Sequence, residues 1–237
     1  MTDYLYYDQT EITNTNWLEY LNYMSKTYSG RSSAEYQNAL PDTTVWEQAL
    51  SYNLPYMKYY LRHAAYGGYP VVGVSWQQAT DYCAWRTKRV KEYLEANGKL
   101  EKAPKIFTYR LPMFEEWKMM YAEVERLPFL IGDEGRRSYK GMARFNMKRE
   151  AGDMATQAGQ LNDNADVTAP AKSYWPNQYG VYNIKGNVSE WLLEKDTHIG
   201  GAWNVKTDAD VSVKQTLESS SATVGFRCVC EVVDDAA

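Results

Sequence analysis

Five side chains of this 237-residue sequence belong to the types that most often bind transition metals or act as nucleophiles, namely three cysteines and two histidines. The cysteines, Cys83, Cys228 and Cys230, are too few for a disulfide scaffold and lack the spacing of a zinc site. An iron site with two histidines and one carboxylate would need both His63 and His198. No catalytic motif surrounds either histidine, and we expect His63 to pack under a helix and His198 to lie in a surface loop.

Oxygen-bearing side chains are more numerous, and they suit a hard cation. Residues 127–178 are polar and rich in Gly, Asn and Asp, and such a long loop is unusual in a compact domain unless something orders it. Calcium takes about six to eight oxygens from carboxylates, amides and backbone carbonyls. The block from Asn183 to Glu190 and the cluster from Asn162 to Asp166 offer such oxygens. The alternative is that these Asn and Asp side chains only stabilise turns.

Helix signals indicate the framework that carries these residues. Ser75 and Gln78 form a capping-box pattern, and an apolar stripe follows as far as Gly98, so a long helix is predicted between them. Three more helices are predicted, over about residues 15–24 with Thr13 or Asn14 as the cap, around residues 54–63, and from Met113 to about Glu125.

Strand signals are shorter and more scattered. Tyr4–Tyr7 and Tyr109–Leu111 read as short strands, and Val71–Val74 as a buried turn or short strand. The segments Gly200–Trp203 and Val224–Val233 are predicted to be two strands of a small antiparallel sheet. Helices and short strands separated by long irregular segments indicate an α+β protein.

Length and charge limit the classes of function. A chain of this length forms one large domain or two small ones, and its formal net charge of −4 gives no basic face for nucleic acid or anionic lipid. No apolar run is long enough for a transmembrane helix. The segment Met1–Tyr4 lacks the features of a signal peptide. We expect a cytoplasmic protein, or a protein of the cell envelope or periplasm if a leader has been removed.

The aromatic residues allow two interpretations. The chain has 21 tyrosines and 8 tryptophans but only 5 phenylalanines. Buried Tyr and Trp usually find hydrogen-bond partners for their polar atoms, which favours an irregular fold held together by side-chain bonds. An exposed aromatic binding surface is the alternative.

A series of blocks, in chain order, resembles the formylglycine-generating enzyme family, the sulfatase-modifying factors. The blocks are Glu11–Asn14, Tyr69–Trp76, Tyr82–Trp85, Tyr109–Pro112 with Glu115–Trp117, Tyr179–Trp191, Gly200–Trp203 and Gly225–Cys228. The resemblance spans residues 11–228. It implies a single α+β domain over residues 1–237, with little regular structure and a C-type-lectin-like fold.

A narrower resemblance concerns one branch of this family. The segments Leu40–Trp46, Tyr60–Tyr66 and Trp85–Thr87 look like the gliding-motility lipoproteins J and K of the type IX secretion machinery in Bacteroidetes. Those proteins are structural parts, so the resemblance implies a protein partner from the secretion or gliding machinery. Carbohydrate is another partner class for a lectin-like fold, but no sugar-binding motif supports it.

The resemblance also implies which chemistry this chain has lost. The family enzyme oxidises a substrate cysteine with copper(I) held between two thiolates, and both thiols follow the block equivalent to Gly200–Trp203. Here residues 204–224 contain no cysteine, and hydroxyls or carboxylates do not replace thiolates as copper(I) ligands. The family's structural disulfide maps to Cys83 and Cys228, which leaves only Cys230. We therefore expect no catalytic residues and a non-catalytic module; the alternative is an oxidoreductase that uses a non-standard site in the same cleft.

The family's structural calcium ions map onto two sets of residues. The first set is Asn183, the carbonyls of Gly186 and Val188, and Glu190. Ser189 departs from the family within this block, because an aromatic residue usually stands there beside the active cleft. The second set is Asn146, the carbonyl of Met147, Asp163 and the carbonyl of Ala165.

Overall fold

The computed structural model describes residues 2–47, 53–99, 106–125, 144–148, 167–206 and 208–234. Within these ranges the helices are α1 (Asn14–Thr27), α2 (Ala34–Asn38), α3 (Leu54–Tyr59), α4 (Trp76–Ala96) and α5 (Phe114–Glu125). The strands are β1 (Thr2–Tyr7), β2 (Ile106–Arg110), β3 (Ser189–Trp191), β4 (Thr197–Ile199), β5 (Gln215–Thr216), β6 (Val224–Gly225) and β7 (Val229–Asp234). Most of the polar segment 127–178 falls outside the described residues.

The two principal helices begin at capping boxes. The Gln78 backbone N–H donates to Ser75 Oγ at 3.2 Å, and Gln78 Oε1 accepts from the Ser75 backbone N–H at 2.8 Å, which confirms the predicted start of α4. Thr13 and Asn16 form the same arrangement at the start of α1. Helix α1 extends three residues beyond its predicted end, whereas α3 ends at Tyr59, four residues earlier than expected.

The strands form two small sheets. One has the order β1-β7-β2 and is antiparallel throughout. Helix α4 packs against it, with the Arg86 guanidinium 4.2 Å from the centroid of the Tyr109 ring on β2. The other sheet has the order β5-β4-β3-β6, and its β3–β6 pair is parallel.

The prediction that Gly200–Trp203 and Val224–Val233 are two strands of one antiparallel sheet is wrong. Gly200 and Gly201 have φ values of +109° and +71°, so the backbone turns there and the strand lies just before it, at β4. The second segment divides between the two sheets, because β6 pairs with β3 whereas β7 lies between β1 and β2.

The core is rich in aromatic rings. Trp17 of α1 stacks on Tyr82 of α4 at a centroid distance of 5.4 Å, and Phe226 packs edge-on against both. A second cluster surrounds Trp46 and includes Tyr60. The structural interpretation of the aromatic content therefore holds for these rings, although several other tyrosines are exposed.

The described residues form a single domain of mixed helices and strands. No helix in the described ranges combines the length and apolar character needed to span a membrane.

Candidate functional site

A fully buried ion pair lies at the centre of the candidate site. Arg227 follows β6, and its Nε atom donates to Glu190 Oε2 of β3 at 2.8 Å while Nη2 donates to Oε1 at 2.5 Å. The guanidinium also donates to the carbonyls of Asp8 at 3.1 Å and Tyr182 at 2.8 Å. Burial opposes its charge, but Glu190 holds the pKa of Arg227 above its ordinary value. Arg227 thus ties the two sheets and the Tyr182 segment together.

Glu11 is a second buried carboxylate beside this pair. Its Oε1 accepts from Asn187 Nδ2 at 2.9 Å, and its Oε2 accepts from Asn183 Nδ2 at 3.3 Å. Burial raises its pKa to about 7, against the opposing effect of Arg227. Sequence reasoning assigned Glu11 no role. The available signal was a charged residue directly before the apolar residue Ile12, which is buried.

Three asparagine side chains continue the network away from Glu11. Asn187 Oδ1 accepts from Asn146 Nδ2 at 3.0 Å and from the Ala169 backbone N–H at 2.7 Å. Asn146 Nδ2 also donates to the Val167 carbonyl at 2.8 Å. The network therefore joins residues of the two predicted calcium sites, because Asn183 binds Glu11 at one end and Asn146 binds Asn187 at the other.

The first predicted calcium site keeps its oxygen-bearing residues, but protein groups already engage the carboxylate of Glu190. Both carboxylate oxygens of Glu190 accept from Arg227, and Asn183 directs its amide nitrogen to Glu11 and to the Ala171 carbonyl. Gly186 adopts a φ of +80°, and its N–H donates to the Gly200 carbonyl at 2.9 Å. Val188 is buried in the core. The guanidinium matches the charge of Glu190, so a cation here would have to share that carboxylate.

The second predicted calcium site is described only in part, since Asp163 and Ala165 lie outside the described residues. Asn146 is completely buried, and its Oδ1 atom has no hydrogen-bond partner among the residues that the structure describes. The side chain of Met147 is equally buried. A buried acceptor without a donor is costly, and a cation bound through it would remove that cost. This half of the site fits a hard cation.

The cysteines do not form the thiolate pair that copper(I) requires. The Cys83 and Cys228 sulfurs lie 3.3 Å apart in the core without a bond between them, so the disulfide stays a prediction. Burial raises the pKa of the Cys228 thiol well above its ordinary value, which disfavours the thiolate. Cys230 lies opposite Tyr109 in the β2–β7 pair. The residues present therefore do not fit a copper centre of the family type.

Both histidine predictions are wrong. His198 lies in β4, only 7% exposed, with its ring 5.7 Å from that of Trp191. His63 is exposed, and its Nδ1 atom accepts from the Ala65 backbone N–H. Within the described ranges, no three His, Cys, Asp or Glu side chains gather as a metal-binding group.

Comparisons with known proteins agree with this geometry. A family model for the sulfatase-modifying factor enzyme 1-like domain matches residues 2–232. The inactive C-alpha-formylglycine-generating enzyme 2 of Bos taurus is 28% identical over 178 residues, which are 68% of this chain and 50% of the relative. The formylglycine-generating enzyme of Mus musculus is 25% identical over 194 residues, which are 69% of this chain and 44% of the relative. The chain thus spans about half the length of these curated relatives.

Two solved structures share the fold. CarF superimposes with a TM-score of 0.53 at 16% identity, covering 97% of this chain and 87% of the other. Treponema denticola variable protein 1 superimposes with a TM-score of 0.51 at 17% identity, covering 95% and 84%. At these identities the likeness concerns the fold alone.

Proposed function

The chain belongs to the family of sulfatase-modifying factor enzyme 1-like domains, and on that premise we propose that it is a non-catalytic structural or protein-binding module with the C-type-lectin-like formylglycine-generating enzyme fold. One observation carries the proposal: the family enzyme holds copper between two thiolates, whereas the three thiols of this chain do not form an accessible pair. Copper(I) requires soft ligands, and the hydroxyls and carboxylates of residues 204–224 are hard.

The relatives support a loss of chemistry within this fold. Two of the proteins similar to the chain are named inactive C-alpha-formylglycine-generating enzyme 2, from Bos taurus and Mus musculus. The framework is retained in this chain, because Arg227 and Glu190 pair in the core and the helix caps form as the sequence predicts. A folded domain that lacks the pair of copper-binding thiols is consistent with a protein that binds other proteins.

We place the module in the gliding-motility and type IX secretion machinery of the Bacteroidetes cell envelope. The segments Leu40–Trp46 and Tyr60–Tyr66 support this setting, because their resemblance is to structural lipoproteins of that machinery. Calcium would serve as a structural ion that orders the polar segment, and the unpaired Oδ1 atom of Asn146 supports the second predicted site.

A copper(I) titration tests the non-catalytic proposal. The full chain competes under anaerobic, reducing conditions with a chromophoric copper(I) chelator, alongside a Cys230→Ser variant. We expect no stoichiometric, tight copper binding in either protein, because Cys83 and Cys228 are buried, which disfavours their thiolates, and Cys230 alone cannot form a two-coordinate thiolate site. Binding of one copper per chain that disappears in Cys230→Ser would favour the alternative, an oxidoreductase with a non-standard site.

A further inference from the structure

A cavity of about 420 Å³ opens between α1, α4 and the segment that follows β1. Glu19 of α1 lines one wall, and Trp85, Arg86, Arg89 and Tyr93 of α4 line the other. Neither predicted calcium site accounts for this space.

The charges of the cavity lining do not balance. Arg86 donates to Asp8 through both terminal nitrogens, at 2.5 Å and 2.9 Å, so its charge is already matched. Arg89 pairs with Glu92 on the next turn of α4. Glu19 is exposed and forms no ion pair with any residue that the structure describes. Glu11 also lines the cavity, but its carboxylate already faces Arg227 and two asparagine amides. The charge of Glu19 is therefore free to attract a cation.

Aromatic rings stand in the same wall. Trp85 packs against Tyr20 and Tyr82 at centroid distances of 5.1 Å each. Its Nε1 atom is buried, and no acceptor for it lies in the described part of the chain. The Tyr93 side chain is 58% exposed at the cavity. A cation placed beside a carboxylate and over an aromatic face gains from both.

The cavity adjoins the free edge of a sheet. Strand β1 pairs only with β7 within the described residues, so its outer edge has no strand partner. Tyr6, which is 60% exposed, lies opposite Cys230, and Cys230 lies opposite Tyr109 beneath Arg86. Directly opposed residues share a face of the sheet. Tyr6 therefore projects on the face that α4 covers further along, and the cavity opens beside an edge that can accept another strand.

We propose that this cavity binds a lysine or arginine side chain carried by an extended segment of a partner protein, which lies along the free edge of β1. The inference rests on the proposed function as a protein-binding module and names the chemistry of the partner at one site. The free charge of Glu19 selects a cation, the rings of Trp85 and Tyr93 flank it, and the open edge selects an extended chain over a small amine.

Calorimetric titration of the full chain with short peptides tests the proposal. The peptides are blocked pentapeptides, Thr-Val-X-Val-Thr, in which X is Lys, Glu or Leu. Lysinamide is titrated alongside them as a small amine. The Lys peptide should bind about tenfold more tightly than the Glu peptide, because Glu19 repels a second carboxylate. Glu19→Gln should weaken the Lys peptide about two- to fivefold, and Tyr93→Ala about as much. Glu115→Gln, an exposed carboxylate on α5, is the matched control and should change nothing.

Several results would overturn the proposal. These are undetectable binding of the Lys peptide, equal affinity for the Lys and Glu peptides, and an affinity that Glu19→Gln leaves intact. Lysinamide binding as tightly as the Lys peptide would assign the cavity to a small amine instead. Failure here leaves the copper titration untouched, and copper binding would refute the non-catalytic module without changing these affinities.

Discussion

The Arg227–Glu190 pair shows what a single buried contact does in this fold. Both side chains are at most 1% exposed, and three segments of the chain meet at the guanidinium. Desolvating two charges offsets much of their attraction, so the pair itself contributes little net stability, but losing one partner leaves the other charged and buried. The residue therefore acts chiefly by joining segments that are distant in sequence.

Replacing Arg227 by Met should lower the free energy of unfolding by about 3–5 kcal/mol, because Glu190 would remain buried without a counter-charge. Urea denaturation followed by circular dichroism measures this. Lys214→Met is the matched control: it breaks the partly exposed Lys214–Glu194 pair and should cost less than about 1 kcal/mol. The double variant Arg227→Met/Glu190→Leu should recover part of the loss. Equal costs for the two single variants would contradict this account.

His198 should make the domain sensitive to acid. Burial lowers its pKa to about 4, and its Nδ1 atom has no hydrogen-bond partner within the described ranges. A depressed folded-state pKa means that the stabilising effect is complete above the unfolded value of about 6.5 and is lost as the pH falls from there towards 4. His198→Gln should therefore flatten the fall in stability between these pH values.

The other histidine of the chain is the control for this experiment. His63 is exposed, so His63→Gln should leave the pH dependence of the free energy of unfolding as it is in the wild type. The measurement is a series of urea titrations from pH 7 to pH 4. A slope that persists in His198→Gln would show that other groups control acid sensitivity.

At the scale of the elements, the sequence predicted a helix start correctly where the hydrogen bonds join residues close together in the chain. Ser75 with Gln78 predicted the first turn of α4, since the capping box depends only on residues three positions apart. The prediction of one strand over the apolar residues 224–233 failed. The first part of this segment, β6, pairs in parallel with β3, whereas the second part, β7, is the central strand of the other sheet. Nothing within the segment indicates which distant strands it will meet.

The same difference between local and distant interactions explains which parts of the candidate site could be predicted. The block from Asn183 to Glu190 was correctly singled out as a turn rich in oxygen donors, and Asn183, Gly186 and Asn187 all adopt positive φ values. The carboxylate of Glu11 could not be placed beside it, because 172 positions separate the hydrogen-bonded residues Glu11 and Asn183. His198 was misjudged because all three residues of β4 are buried, so the strand shows no alternation to read.

Gly186→Ala should be more disruptive than Gly98→Ala, although both glycines have positive φ values. The φ of Gly186 is +80°, and a Cβ atom would stand 2.7 Å from the Asn146 carbonyl oxygen. We expect a loss of about 2 kcal/mol or more, from backbone strain together with the displaced Asn146 loop. Gly98→Ala isolates the strain, because Gly98 also has a positive φ but no atom within 4 Å, and it should cost about 1 kcal/mol. Equal losses measured by thermal unfolding would show that the close approach is tolerated.

At the scale of the whole molecule, calcium should stabilise the domain if the predicted sites bind it. A ligand at 100 times its dissociation constant adds about 2.7 kcal/mol, which raises the melting temperature of a chain of this size by about 5–10 °C. Asn146→Ala should abolish most of the rise between EGTA and calcium, because Oδ1 of Asn146 is the buried acceptor without a partner.

Asn177 supplies the control, since it is a buried asparagine that donates to the Met120 carbonyl and belongs to neither predicted site. Asn177→Ala should lower the melting temperature and keep the calcium-dependent rise. Magnesium should substitute poorly, because it demands octahedral geometry at shorter distances. A melting temperature indifferent to millimolar calcium would refute the calcium assignment.

The most direct test of the claim that this domain is non-catalytic is an assay for turnover of a cysteine-bearing substrate peptide. The full chain, supplied with copper(I) and oxygen, is incubated with such a peptide, and an aldehyde-reactive probe with mass spectrometry follows the cysteine. The account predicts no aldehyde above the level of the peptide incubated without protein. Copper-dependent conversion of the cysteine to an aldehyde, catalysed by a chain whose Cys83 and Cys228 lie buried together, would contradict it.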